Sequence, residues 1–121
     1  MEGDHRSFRI ALTSDRYVNP PPGELDGLAV LGEAGWGVMQ LPPEDYPAEL
    51  RRSMLVEVAE QAEEFSRRGY DVVLIGDDEG LMDALHAVNT ARPAQLVPAS
   101  EAELLDFLRS RPVPEAAHLL K

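Results

Sequence analysis

The sequence predicts a three-layer α/β/α domain built on a small parallel sheet of about four strands. Three observations carry that expectation. Strand-like and helix-like segments alternate along the chain, which implies right-handed crossovers and helices on both sheet faces. Val72-Val73-Leu74-Ile75 is a continuous apolar run, as in a strand buried on both faces. Two joints share one pattern: in Gly35-Trp36-Gly37-Val38 and in Gly69-Tyr70-Asp71-Val72, a glycine stops a helix, an aromatic follows and a strand begins.

Residues 8–14, from Phe8 to Ser14, alternate enough to form the first strand. Asp15 to Gly23 contains Pro20, Pro21 and Pro22, so a stiff, extended loop is expected there. Glu24 to Ala34 reads as a short helix, with Leu25, Leu28, Leu31 and Ala34 at helical spacing and Gly27 and Gly32 weakening it. Residues 37–41 form the second strand. The strongest element runs from Pro47 to Arg68. Its expected inward face is Leu50, Met54, Val58, Ala62 and Phe65, widened by Leu55 and Ala59. Glu63–Arg67 and Glu64–Arg68 are favourable pairs four residues apart.

Residues 70–76 form the third strand, Gly80 to Val88 a helix, and residues 95–98 a short fourth strand. Ser100 and Glu103 match a capping box before Leu104, Leu105, Phe107 and Leu108. The first and third strands are the most apolar and belong in the centre, giving the order 2-1-3-4 and a flavodoxin-like or Rossmann-like layout. The chain is expected to be a single domain over residues 1–121, with 1–6 and 112–121 as terminal segments.

Composition narrows the function classes. The 121 residues carry a formal net charge of −11 and no cysteine, which removes disulfides, thiolate metal sites and cysteine nucleophiles. An acidic surface repels phosphate backbones and anionic membranes, so neither nucleic acid nor membrane is expected as a partner. Lys121 is the only lysine, which argues against an internal Schiff base. The first residues lack the apolar run of a signal peptide, and the expected location is cytoplasmic. His5, His86 and His118 have no metal-like spacing, no P-loop or GxGxxG is present, and Ser14 has no nucleophile-elbow context. No cofactor is named by any motif, and no metal is assigned.

In open parallel sheets, ligands bind beyond the carboxyl ends of the strands where the strand order reverses. Asp15, Arg16 and Asn19 follow the first strand, and Asp77 and Asp78 follow the third, so these five are the candidate ligand-binding residues. Gathered carboxylates would raise one another's pKa or recruit a hard cation such as Mg²⁺. Arg16 would hold an anion or, preferably, pair with Asp77 or Asp78. The competing reading is structural: Asp78 stands where a helix N-cap belongs, and Asp15 can cap a turn.

Val72-Val73-Leu74-Ile75-Gly76-Asp77 resembles the strand and phosphoacceptor aspartate of response-regulator receiver domains, which also gather acids after the first and third strands. That family has an acidic pair after its first strand and a lysine after a fifth. Here only Asp15 is available, no internal lysine exists and four strands are expected, so the resemblance implies topology and not receiver activity. Two classes of function remain. One is a non-enzymatic interaction or regulatory module, with a homodimer expected through open sheet edges and the apolar tail at Ala116, Ala117, Leu119 and Leu120. The other is a small-ligand-binding protein or enzyme using the acidic crevice.

Overall fold

A computed structural model describes residues 9–88 and 92–111. They form a four-stranded, all-parallel sheet in the order β2-β1-β3-β4, with helices on both faces. The strands are β1 (Arg9–Thr13), β2 (Gly37–Gln40), β3 (Asp71–Ile75) and β4 (Ala94–Leu96). The helices are α1 (Asp15–Val18), α2 (Gly27–Glu33), α3 (Ala48–Arg67), α4 (Glu79–Ala87) and α5 (Glu101–Arg109). The expected order and parallel pairing are both present, with β1 against β3 over five residues from Arg9↔Asp71 to Thr13↔Ile75. Phe8, Ala91, His5, His118 and the apolar tail lie outside the described residues.

Alternation along the central strands sorts their side chains into two cores. Leu12, Val72 and Leu74 pack beneath α3 and α4 with Leu55, Ala59, Leu81 and Leu85. Ala11, Val73 and Ile75 face α2 and α5 with Val30, Leu31, Leu104 and Leu108. Val73, Leu74 and Ile75 are fully buried, as a doubly covered strand requires. Gly35 (φ +83°) and Gly69 (φ +93°) hold the left-handed conformation that ends α2 and α3. Ser100 accepts the Glu103 N–H at 3.1 Å, and Glu103 reaches back to the Ala99 N–H, completing the cap of α5.

Three expectations need correction. The loop after β1 is not extended throughout, because Asp15–Val18 makes one helical turn closed by the Asn19 N–H on the Asp15 carbonyl. The second helix begins three residues late, because Asp26 caps it by accepting the Ala29 N–H at 3.1 Å. Leu28 is consequently 47% exposed, and Val30 takes the inner position beside Leu31.

The third correction is the phase of α3. Leu55, Ala59 and Ala62 are its buried residues, whereas Leu50 is 50% exposed and Met54, Val58 and Phe65 are only half-buried. At 100° per residue, the inward direction is turned by roughly 100° from the Leu50/Met54/Val58 stripe. The cause is close packing against α4. Small residues meet there: Ala59 and Ala62 on α3 belong to the same core as Ala84 on α4, and a Cβ on Gly80 would lie 2.9 Å from Leu55 Cδ1.

Candidate functional site

β1 and β3 end side by side. The Ser14 N–H donates to the Ile75 carbonyl at 3.2 Å. Gly76 (φ +122°) lies so close that a Cβ there would stand 2.8 Å from Ser14 Oγ and 3.6 Å from Tyr17 Cε2. The loops carrying Asp15–Asn19 and Asp77–Gly80 therefore adjoin at the carboxyl edge of the sheet, as the topology requires.

Their carboxylates turn to separate partners. Asp15 Oδ1 accepts from Gln40 Nε2 at 2.8 Å and from Asn19 Nδ2 at 3.0 Å, which ties α1 to the end of β2. Asp78 is buried and caps α4 by accepting the Leu81 N–H at 3.1 Å. Asp77 is exposed. Among the described residues, no three His, Cys, Asp or Glu side chains come together as a metal-ligand group, so Asp15, Asp77 and Asp78 do not form one.

Arg16 does not pair with Asp77 or Asp78. Its guanidinium lies over the Tyr17 ring, 5.2 Å from the centroid. The cation that meets Asp78 is Arg51, from the first turns of α3. Arg51 donates to both Asp78 oxygens, to the Pro43 carbonyl from Nε at 3.0 Å and to the Pro42 carbonyl from Nη2 at 3.1 Å. The side chains of Arg51 and Asp78 are only 14% and 5% exposed. The hydrogen bond to Asp78 holds the Arg51 pKa above its ordinary value, against the opposing effect of burial. One guanidinium thus fastens the β2–α3 loop to the capped start of α4.

A residue-pattern argument could have found Arg51. The amino end of a helix favours acids, yet Arg51 and Arg52 stand together near the start of α3. A cation in that unfavourable place needs a specific partner, and Asp78 supplies it.

Beside this ion pair, α3 and α4 enclose an open groove of about 490 Å³. Leu55, Val56 and Ala84 give it apolar walls, and Tyr46, Arg52 and Asp83 stand among its polar and aromatic lining. The glycine at position 80 leaves room where a side chain would otherwise enter.

The amino edge of the sheet is closed differently. Trp36 is buried, with the Arg9 guanidinium over its ring at 4.7 Å. Arg9 also donates to the Leu108 carbonyl at 3.2 Å, and Arg111 pairs with Asp71. Tyr70 packs on Phe65 with ring centroids 4.9 Å apart. Both aromatics of the helix-to-strand joints therefore act as plugs.

None of the described helices is long and apolar enough to cross a membrane. No protein-family model, curated protein or solved structure matches the chain.

Proposed function

We propose that this protein is a non-enzymatic interaction module whose working surface is α3 and the loops and grooves flanking it. The observation that carries this reading is the engagement of Asp78. It caps α4 and binds Arg51, while Arg51 spends its remaining donors on two loop carbonyls. A carboxylate so fully committed serves to fix α4 against α3, and a free general base or a cation ligand would need open lone pairs. Asp15 accepts from Asn19 and Gln40 through one oxygen, Oδ1. The surface around α3 has the opposite character: Tyr46 and Leu50 are exposed at 40% and 50%, and Tyr46 lines the groove whose walls are Leu55, Val56 and Ala84. The cytoplasm is the setting in which a cysteine-free, acidic module of this kind is proposed to act.

The test is thermal denaturation of the chain and of an Asp77→Asn/Asp78→Asn variant, with millimolar Mg²⁺, with inorganic phosphate and with a library of small metabolites. The expected result is a lower melting temperature for the variant and the same absence of ligand response in both proteins. A ligand that stabilises the native chain and not the variant would establish a binding crevice and overturn this reading.

A further inference from the structure

We propose that the groove between α3 and α4 docks an amphipathic helix of a partner protein, one whose apolar stripe has basic side chains on the flank toward Asp83 and an acidic side chain on the flank toward Arg52. The proposal names the partner chemistry of the interaction module and rests on that reading.

The groove exists because one wall lacks bulk. On α4, Gly80, Asp83, Ala84 and Ala87 follow one helical stripe, and only Asp83 carries a side chain larger than a methyl group. On α3, Ala48, Arg52 and Val56 recur every four residues, with buried Leu55 at the base. The volume of about 490 Å³ is that of a built binding site. Arg51 and Asp78 hold the base in place through each other and through the Pro42 and Pro43 carbonyls, so little new order is imposed when the groove fills.

The walls decide the conformation of the occupant. Both are helices, whose interior backbone groups are already paired, so the groove offers no strand edge to an extended peptide. An occupant here must satisfy its own backbone, which a helix does. From Ala48 to Val56 the α3 wall runs about 12 Å at 1.5 Å per residue, room for about two helical turns. Apolar anchors at i, i+4 and i+7 of a partner helix fit that length.

Charge decides the flanks. Arg52 stands exposed on the α3 wall and Asp83 exposed on the α4 wall, and among the described residues neither is in an ion pair. Glu44, from the loop before α3, adds a second carboxylate beside Tyr46, which is 40% exposed. Arg51 is neutralised by Asp78, so the groove keeps two unpaired carboxylates against one guanidinium. Walls of opposite sign select a helix with one basic and one acidic flank and fix how it lies. The Tyr46 ring offers a face on which a basic side chain stacks. The net charge of −11 draws a basic segment toward the site and opposes a second copy of this acidic chain.

Fluorescence anisotropy tests this with a dye-labelled designed helical peptide that carries a leucine stripe, lysines on one flank and glutamates on the other. The chain should bind it saturably, and a second peptide with glutamate on both flanks should bind at least about tenfold more weakly. Ala87→Arg puts a long cation into the groove and should weaken binding of the first peptide at least about tenfold. Asp83→Lys should reverse the preference between the two peptides. Both are exposed helical positions where Arg and Lys are good helix formers, so either variant remains informative if the other disturbs folding. Ala102→Arg, the same charge change at an exposed position of α5, should leave binding unchanged. No saturable binding, or a peptide preference that Asp83→Lys leaves as it was, overturns the proposal. Equal losses from Ala87→Arg and Ala102→Arg mean diffuse attraction to an acidic surface and overturn it too. Sedimentation showing a dimer of the chain that the peptide dissociates assigns the groove to a second copy and has the same consequence. A chain that binds neither peptide nor any small ligand defeats this proposal and leaves the module reading intact, whereas a metabolite response lost in the Asp77→Asn/Asp78→Asn variant defeats that reading.

Discussion

Arg51→Met is the most informative single substitution in this fold. It keeps an aliphatic side chain of similar length and deletes the guanidinium. Asp78 then loses its ion pair in a site where its side chain is 5% exposed, retaining the Leu81 N–H alone. The Pro42 and Pro43 carbonyls lose their donors as well. Breaking one side of a buried pair costs about 3–5 kcal/mol. Arg51 is itself 14% exposed and water can reach the vacated space, so the lower end applies, about 3 kcal/mol. That corresponds to a fall of roughly 10 °C in melting temperature for a domain of this size.

The opposite truncation should be cheaper. Asp78→Asn keeps an N-cap acceptor, and Arg51 keeps its two carbonyls, so about 1–2 kcal/mol is expected. Urea denaturation of both variants and of the double variant gives the coupling, which should be at least about 1 kcal/mol. High salt should leave the Arg51→Met cost largely in place, because a buried pair is weakly screened. Equal, small losses for Arg51→Met and an Arg52→Met control, or a coupling near zero, would refute the assignment of Arg51 as the fastener of α3 to α4.

Other expectations follow from single contacts. Gly32→Ala should stabilise by about 0.5–1 kcal/mol in urea melts, since nothing lies within 4 Å of the added Cβ and alanine favours helix. Gly27→Ala should destabilise by about 1–2 kcal/mol despite the same propensity, because its Cβ would meet Tyr17 Cβ at 2.9 Å and the Tyr17 carbonyl oxygen at 3.0 Å. Arg9→Met should change stability by less than about 1 kcal/mol. Arg9 makes one hydrogen bond, its Nε has no partner among the described residues, and burial lowers its pKa despite nearby Asp71, so losing the charge offsets losing the contacts. A loss from Arg9→Met as large as that from Arg51→Met would show that stacking on Trp36 outweighs the desolvation.

The strand order was legible because its signals are local and redundant. The Val72–Ile75 run marks a buried strand by itself, and Gly35 and Gly69 mark helix ends by conformation alone. Ser100 with Glu103 marks a start through two bonds spanning only a few residues. The adjacency of the two acidic loops followed from that order. The partners of their carboxylates did not, because each is fixed by contacts distant in sequence. Asp15 meets Gln40 from the end of β2, and Asp78 meets Arg51 from α3, twenty-seven residues earlier. Searching only the two loops for a cation finds Arg16, which the structure places over Tyr17.

One rotation links the exposure of Leu50 to the Arg51–Asp78 pair. Hydrophobicity centres the expected inward face of α3 on the bulky Leu50, Met54 and Val58, continued by Ala62 and Phe65 and only widened by Leu55 and Ala59. The helix instead presents Leu55, Ala59 and Ala62 to the core, where small residues allow α3 and α4 to approach closely. At 100° per residue, Arg51 falls on this inner side, within reach of Asp78, and Leu50 falls on the outer flank facing the β2 edge. The phase that completes the ion pair is thus the phase that leaves Leu50 exposed and Met54 and Val58 half-buried. Leu50→Glu tests this phase: with Leu50 on the outer flank, it should leave the Arg51–Asp78 coupling measured by urea denaturation unchanged. A change in that coupling would show that the outer flank of α3 belongs to the fold after all.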